Sequence, residues 1–227
     1  MAERIDRHMR AAARDLGYRR FFDINTLVGL RMEDEQVFSD THALILRWLG
    51  EGVLDGVRID HPDGLRDPEA YCQRLHRAAP QAWIVVEKIL EPGERLRDAW
   101  PVAGTTGYDF LNLVSGLFVD PAGEQPLTEL YAEFTGESVD YPALVRAKKH
   151  QTLHELLGSD VNRLTTLFIE VCERHRRHRD YTRDELHEVL REVMACFPVY
   201  RTYVQAEAGH VNDDDVPITV ESSPSPT

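Results

Sequence analysis

Apolar positions in the first part of the chain alternate between helical spacing and short continuous runs. Over residues 1–17, Ile5, Met9, Ala12 or Ala13, and Leu16 recur at helical intervals, and Gly17 closes the segment. The "FFDI" of "YRRFFDINTL" is a short apolar run ending in polar groups, as a buried strand would be. From Ser39, taken as an N-cap, "DTHALILRWLGEG" carries the i, i+3, i+4 pattern of an amphipathic helix that ends at Gly50 or Gly52. "LDGVRID" then reads as a strand of about five residues. "DPEAYCQRLHRAAP" reads as a helix started by Asp67 with Pro68 in its first position, and "AWIVVEKIL" is the most β-branched run in the chain.

Strand, helix, strand, helix, strand at this spacing predicts right-handed βαβ units and a parallel sheet, hence an α/β fold. In such sheets reactive groups gather where the carboxyl ends of strands meet the loops. Asp60 falls at one such end and Glu87 at the next. Neighbouring strands lie about 4.8 Å apart, so carboxylates at equal heights on adjacent strands come close together. Beyond residue 100 the alternation stops. "GTTGYDFLNLVSGLF" has the glycines and aromatics of a loop leading into a buried helix, and residues 143–196 show apolar stripes opposite charges, as in a separate helical subdomain. Four segments follow: an N-terminal helix (1–17), an α/β segment (18–142), a helical subdomain (143–204) and an acidic Ser/Pro-rich tail (205–227) expected to be disordered.

Composition narrows the partners. The 227 residues are 42% hydrophobic, enough for a core, and 39 acidic against 26 basic residues leave a net charge of −13. That balance argues against nucleic acid and anionic membrane surfaces. Cys72, Cys172 and Cys196 form no CxxC pair, which suggests neither a disulfide framework nor a structural zinc site and fits a reducing cytoplasm. No apolar run reaches the length of a membrane helix, and the N-terminus is charged where a signal peptide is apolar.

The "DGVRIDHPDGL" passage concentrates the chemistry. A strand-end Asp with Arg58 two residues before it, and a strand-end Glu one βαβ unit later, is what a retaining glycosidase or transglycosylase requires: one carboxylate to attack the anomeric carbon and one to protonate the departing oxygen, about 5–5.5 Å apart. Arg58 would keep Asp60 ionised, and the apolar "WIVV" before Glu87 would favour a retained proton there. Read alone, the same acids fit plain strand termination equally well. Asp63, between Pro62 and Gly64, reads as a turn residue, and Asp213, Asp214 and Asp215 as a solvated charge run. His175 and His178 share a helical face that is more naturally a basic exposed surface than a metal site. Trp48 and Trp83 read as core or interface residues. Trp100, beside Pro101, is the tryptophan for which a sugar platform stands as the lesser alternative.

These motifs resemble a known family. "DGVRIDHPDGL" looks like the nucleophile strand of the α-amylase clan and "WIVVEKIL" like its acid/base strand; with "YRRFFDINTLVGLRMEDEQVF" and "GTTGYDFLN" they resemble maltooligosyl trehalose synthases over residues 18–204. The resemblance implies that Asp60 is the nucleophile, Glu87 the acid/base and Arg58 the electrostatic partner of Asp60. His61 would contact sugar hydroxyls, and Tyr108 and Asp109 would line the sugar groove. It implies an isomerase acting on maltodextrins by intramolecular transglycosylation, without metal or organic cofactor. The family's upstream strand motif and the downstream Asp that completes its catalytic trio have no counterpart. The expected fold is therefore a partial (β/α)₈ TIM barrel with a helical insertion. A second copy or a complementing chain is expected to cover its open edge. The alternative is an inactive remnant that binds maltodextrin or serves in assembly.

Overall fold

The structure, a computed structural model, describes residues 17–137, 140–205, 209, 211 and 215. The helix expected over residues 1–17 lies, except for Gly17, outside the described residues, as does most of the tail. The chain divides into two compact units, one of residues 30–137 with 201–212, the other of residues 1–29, 138–200 and 213–227. These cut the chain at different points from the expected segments, because residues 201–203 bond into the sheet-bearing unit and the segment after Gly17 bonds to the helices.

The first unit holds a three-stranded parallel sheet in the order β3-β4-β5, built from β3 (Gly56–Ile59), β4 (Trp83–Val86) and β5 (Gly104–Thr105). The α/β class read from the sequence is therefore present. Helix α1 (Glu35–Gly50) leads into β3, and α2 (Pro68–Ala78) connects β3 to β4. Asp67 caps α2 by accepting from the Ala70 amide at 2.9 Å, with Pro68 at the first helical position where no N–H is needed. The cap of α1 is not Ser39. Asp34 accepts from the amides of Gln36 and Val37, and Ser39 lies inside the helix. The core forms where the helices meet the sheet: Phe38 of α1 and Leu75 of α2 pack on Ile84, while Cys72 and Val86 pack with Trp100 and Tyr203. Gly56 is required by close approach, since a Cβ there would overlap the carbonyl oxygen of Trp83 on the next strand.

Helices α3 (Tyr108–Gly116) and α4 (Glu124–Thr135) follow β5. The expected buried helix is corrected here: Phe110, Leu113, Leu117 and Phe118 are all exposed, Phe118 to 85%. Apolar composition marks a face that needs covering, and no described residue of this unit covers this one.

In the second unit, β1 (Arg20–Phe21) and β2 (Ile24–Val28) form an antiparallel ribbon. The expectation of "FFDI" as a buried strand fails because the chain reverses inside it. Phe22 takes a left-handed conformation with φ 51°, Arg20 donates to the Asp23 carbonyl at 2.9 Å, and both phenylalanines are exposed. Arg20 also donates to the Leu156 carbonyl at 2.7 Å. Helices α5 (Tyr141–Glu155), α6 (Gly158–Glu173) and α7 (Arg183–Cys196) pack around Leu153, Val161 and Ala195, and Thr182 with Glu185 forms a capping box on α7. His175 and His178 lie in the turns after α6 rather than on a helix. No described helix is long and apolar enough to cross a membrane.

Candidate active site

The ladder between β3 and β4 pairs Ile59 with Val86, and the Glu87 amide continues it by donating to the Ile59 carbonyl at 2.8 Å. Asp60 and Glu87 therefore leave adjacent parallel strands at the same height. Arg58, two residues before Asp60, shares its face of the strand. Its guanidinium joins the two acids, with Nη1 2.7 Å from Asp60 Oδ1 and Nη2 3.1 Å from Glu87 Oε1. The arginine is thus shared between both acids rather than reserved for Asp60. Its pKa is raised, first by the hydrogen bond to Asp60 and further by the charges of Asp60, Glu87 and Tyr108.

His61 enters through its backbone. It holds a left-handed conformation at φ 44°, and its amide donates to Glu87 Oε2 at 3.0 Å. Its ring lies against Gly64, where a Cβ would come within 2.6 Å of Nδ1. Tyr108 and Asp109 begin α3, directly after β5, whose Thr105 pairs with Val86. Asp109 accepts a hydrogen bond from the Thr105 hydroxyl, which lowers its pKa. Asp60 and Glu87 thus leave the ends of β3 and β4 side by side, and Tyr108 opens the helix that follows β5.

Three expectations change. Trp100 is 4% exposed inside the core and offers no sugar platform. Asp63 does belong to a turn, the 3₁₀ segment Pro62–Gly64, but it is also buried and ion-paired to Lys88 at 3.1 Å. Asp215 is buried rather than solvated and belongs to the other compact unit, while Asp213 and Asp214 lie outside the described residues. Lys88, Tyr203 and Arg201 were not anticipated. The signal for Lys88 was a charged residue inside the apolar run "WIVVEKIL"; nothing local marked the other two. Among the described residues no group of three or more His, Cys, Asp or Glu is placed to hold a metal ion.

A shared guanidinium between two carboxylates at the ends of adjacent parallel strands can serve the cleavage and transfer of glycosidic bonds by paired acids. Comparison with known proteins finds the following similarities. The chain is 49% identical over 150 residues to a candidate maltooligosyl trehalose synthase of Mycobacterium tuberculosis H37Rv, covering 65% of this chain and 20% of that protein. Among solved structures it is similar to maltooligosyltrehalose synthase from Arthrobacter ramosus, at 43% identity and a TM-score of 0.76, over 86% of this chain and 24% of that one. It is also similar to a hypothetical maltooligosyl trehalose synthase from Sulfolobus tokodaii, at 36% identity and a TM-score of 0.75, over 93% and 26%. No family model matches the chain. The resemblance to maltooligosyl trehalose synthases is therefore real, and the chain spans about a fifth of the length of the curated relatives it matches.

Proposed function

We propose that this chain carries the reacting acids of a maltooligosyl trehalose synthase, within a segment of a (β/α)₈ barrel. The observation that supports the reading best is Arg58 held between Asp60 and Glu87 at matched strand ends. Asp60 attacks the anomeric carbon of the glucosyl unit next to the reducing end, and the bond to the departing glucose oxygen breaks as Glu87 gives that oxygen its proton. The freed glucose turns and attacks the glycosyl-enzyme through its 1-hydroxyl, returning a proton to Glu87 and closing an α,α-1,1 bond. Water must be excluded meanwhile, or hydrolysis follows. His61, Tyr108 and Asp109 face the sugars. The substrate is a maltooligosaccharide, and the setting is the cytoplasm, which suits the free thiols of Cys72, Cys172 and Cys196.

The test is chromatographic detection of a non-reducing α,α-1,1 product from maltopentaose. Because the chain spans about a quarter of the solved relatives' length, it is assayed alone and with the remaining segments of a relative supplied in trans. The complemented chain is expected to turn over, and Asp60→Asn or Glu87→Gln to lower the rate by at least about a thousandfold. Turnover that survives both substitutions overturns the assignment. Retention of maltodextrin without turnover, with complement present, supports the second reading of a binding or assembly module.

A further inference from the structure

Glu87 and Lys88 are consecutive, yet they serve opposite ends of one turn. Glu87 takes the amide of His61, the residue that opens the turn. Lys88 is 3% exposed, and its Nζ lies 3.1 Å from Oδ2 of Asp63, inside that turn, and 2.8 Å from Glu94 Oε1. Asp63 is anchored further by the Tyr203 hydroxyl, which donates to Oδ1, and by Arg201, whose Nη1 donates to the Asp63 and Leu65 carbonyls at 2.9 and 2.6 Å. Tyr203 lies edge-on to Trp100, with the guanidinium of Arg97 4.9 Å and that of Arg201 5.1 Å from its ring centre. Burial and the bond to Asp63 push the tyrosine hydroxyl far up from its ordinary value, so it remains a donor to Asp63.

The turn needs such anchoring. His61 is one of two non-glycine residues with positive φ among those described, and a strained conformation persists only where its surroundings over-determine it. It also decides where two site groups point, because the His61 amide must face Glu87 and Asp60 is the residue immediately before it. We propose that Lys88 is a positioning residue of the paired-acid site: its buried pairing with Asp63 fixes the His61–Gly64 turn so that the His61 amide meets Glu87 and Asp60 meets Arg58. The proposal rests on reading Asp60 and Glu87 as the reacting pair. It adds that a lysine which touches neither substrate nor reacting atoms sets their geometry.

The test is amide hydrogen exchange by NMR on the chain itself. The reporter is the His61 amide, and the control is the Trp83 amide, which donates to the Asp55 carbonyl at 3.0 Å at the other end of the same ladder. In Lys88→Met the His61 amide is expected to exchange at least tenfold faster while Trp83 keeps its protection. Asp63→Asn, which preserves the turn's volume and a partner for Tyr203, is expected to act in the same direction. Unchanged His61 exchange in these variants overturns the proposal. So does equal loss at His61 and Trp83 in both, since the cluster then supports the sheet as a whole. The readout is independent of turnover: a responding His61 in a chain that never reacts sinks only the activity, and a silent His61 in an active one sinks only the role of Lys88.

Discussion

Glu192 shows how far a charged contact can move a titration without burial. On α7 it receives Arg146 in a two-pronged pair, Nε to Oε1 at 2.8 Å and Nη2 to Oε2 at 2.6 Å, with Cys196 Sγ and His150 Nε2 each at 3.1 Å. Arg146 is the largest cause of a pKa lowered from 4.5 to about 2, with the Cys196 contact adding to it. A carboxylate depressed on folding stabilises above its unfolded pKa, and that contribution is lost as pH falls toward the folded value. The thermal advantage of the native chain over Glu192→Gln should therefore be full at neutral pH and shrink between pH 4.5 and about 2. A difference that stays constant through that window contradicts the pairing. Because the pair is exposed, added salt should shrink the advantage as well. The Arg58 pairs are half-exposed too, but there the geometry matters more than the stability, since it sets which oxygens of Asp60 and Glu87 are presented to a substrate.

At the scale of elements, the strands β3 and β4 depend on a contact that only glycine permits. Gly56 faces the Trp83 carbonyl so closely that any Cβ forces the two strands apart. Gly56→Ala should therefore cost more than the ~1 kcal/mol of an average substitution, with loss of the ladder that aligns Asp60 with Glu87. Gly50, at the end of α1 with open space around it, is the control: Gly50→Ala should be neutral or stabilise by up to about 1 kcal/mol. Denaturant unfolding of the two variants checks both, and equal stabilities would show that the sheet tolerates a wider spacing. The same elements show what was legible in advance. β3, β4 and α2 announced themselves through local chemistry: a β-branched run, an aspartate cap and a proline at the first helical position. The pairing of Asp60 with Glu87 followed from them, because strand ends in a parallel ladder are a local inference. The ribbon β1-β2 was not legible, since a four-residue apolar run carries too little periodicity to separate a strand from a reversal at Phe22. Nor was the anchoring of Asp63, which depends on Tyr203 and Arg201, about 140 residues away along the chain.

For the whole molecule the decisive feature is apolar surface on α3 and α4. Leu113 of α3, Leu117 and Phe118 just after it, and Phe134 of α4 are exposed by 74%, 80%, 85% and 87%. Monomeric proteins rarely leave contiguous apolar patches beyond a few hundred Å² uncovered. The relatives, about three to four times as long as this chain by the coverage of the match, have chain to spare for such a face. We expect the chain by itself to self-associate through it. Two forces oppose each other here, burial of these side chains and repulsion between copies that each carry −13. Salt weakens the second and leaves the first intact or stronger, so association should rise with ionic strength, the reverse of what an interface of ion pairs would do. Sedimentation velocity should show a weight-average mass climbing above 26.0 kDa with both protein and salt concentration. Leu113→Ser with Phe118→Ser and Phe134→Ser should return it toward the single chain, as should the complementing segments of a relative. A stable 26.0 kDa species at high protein and high salt would show that the face is covered from within the chain, and the need for a complementing partner would fall with it.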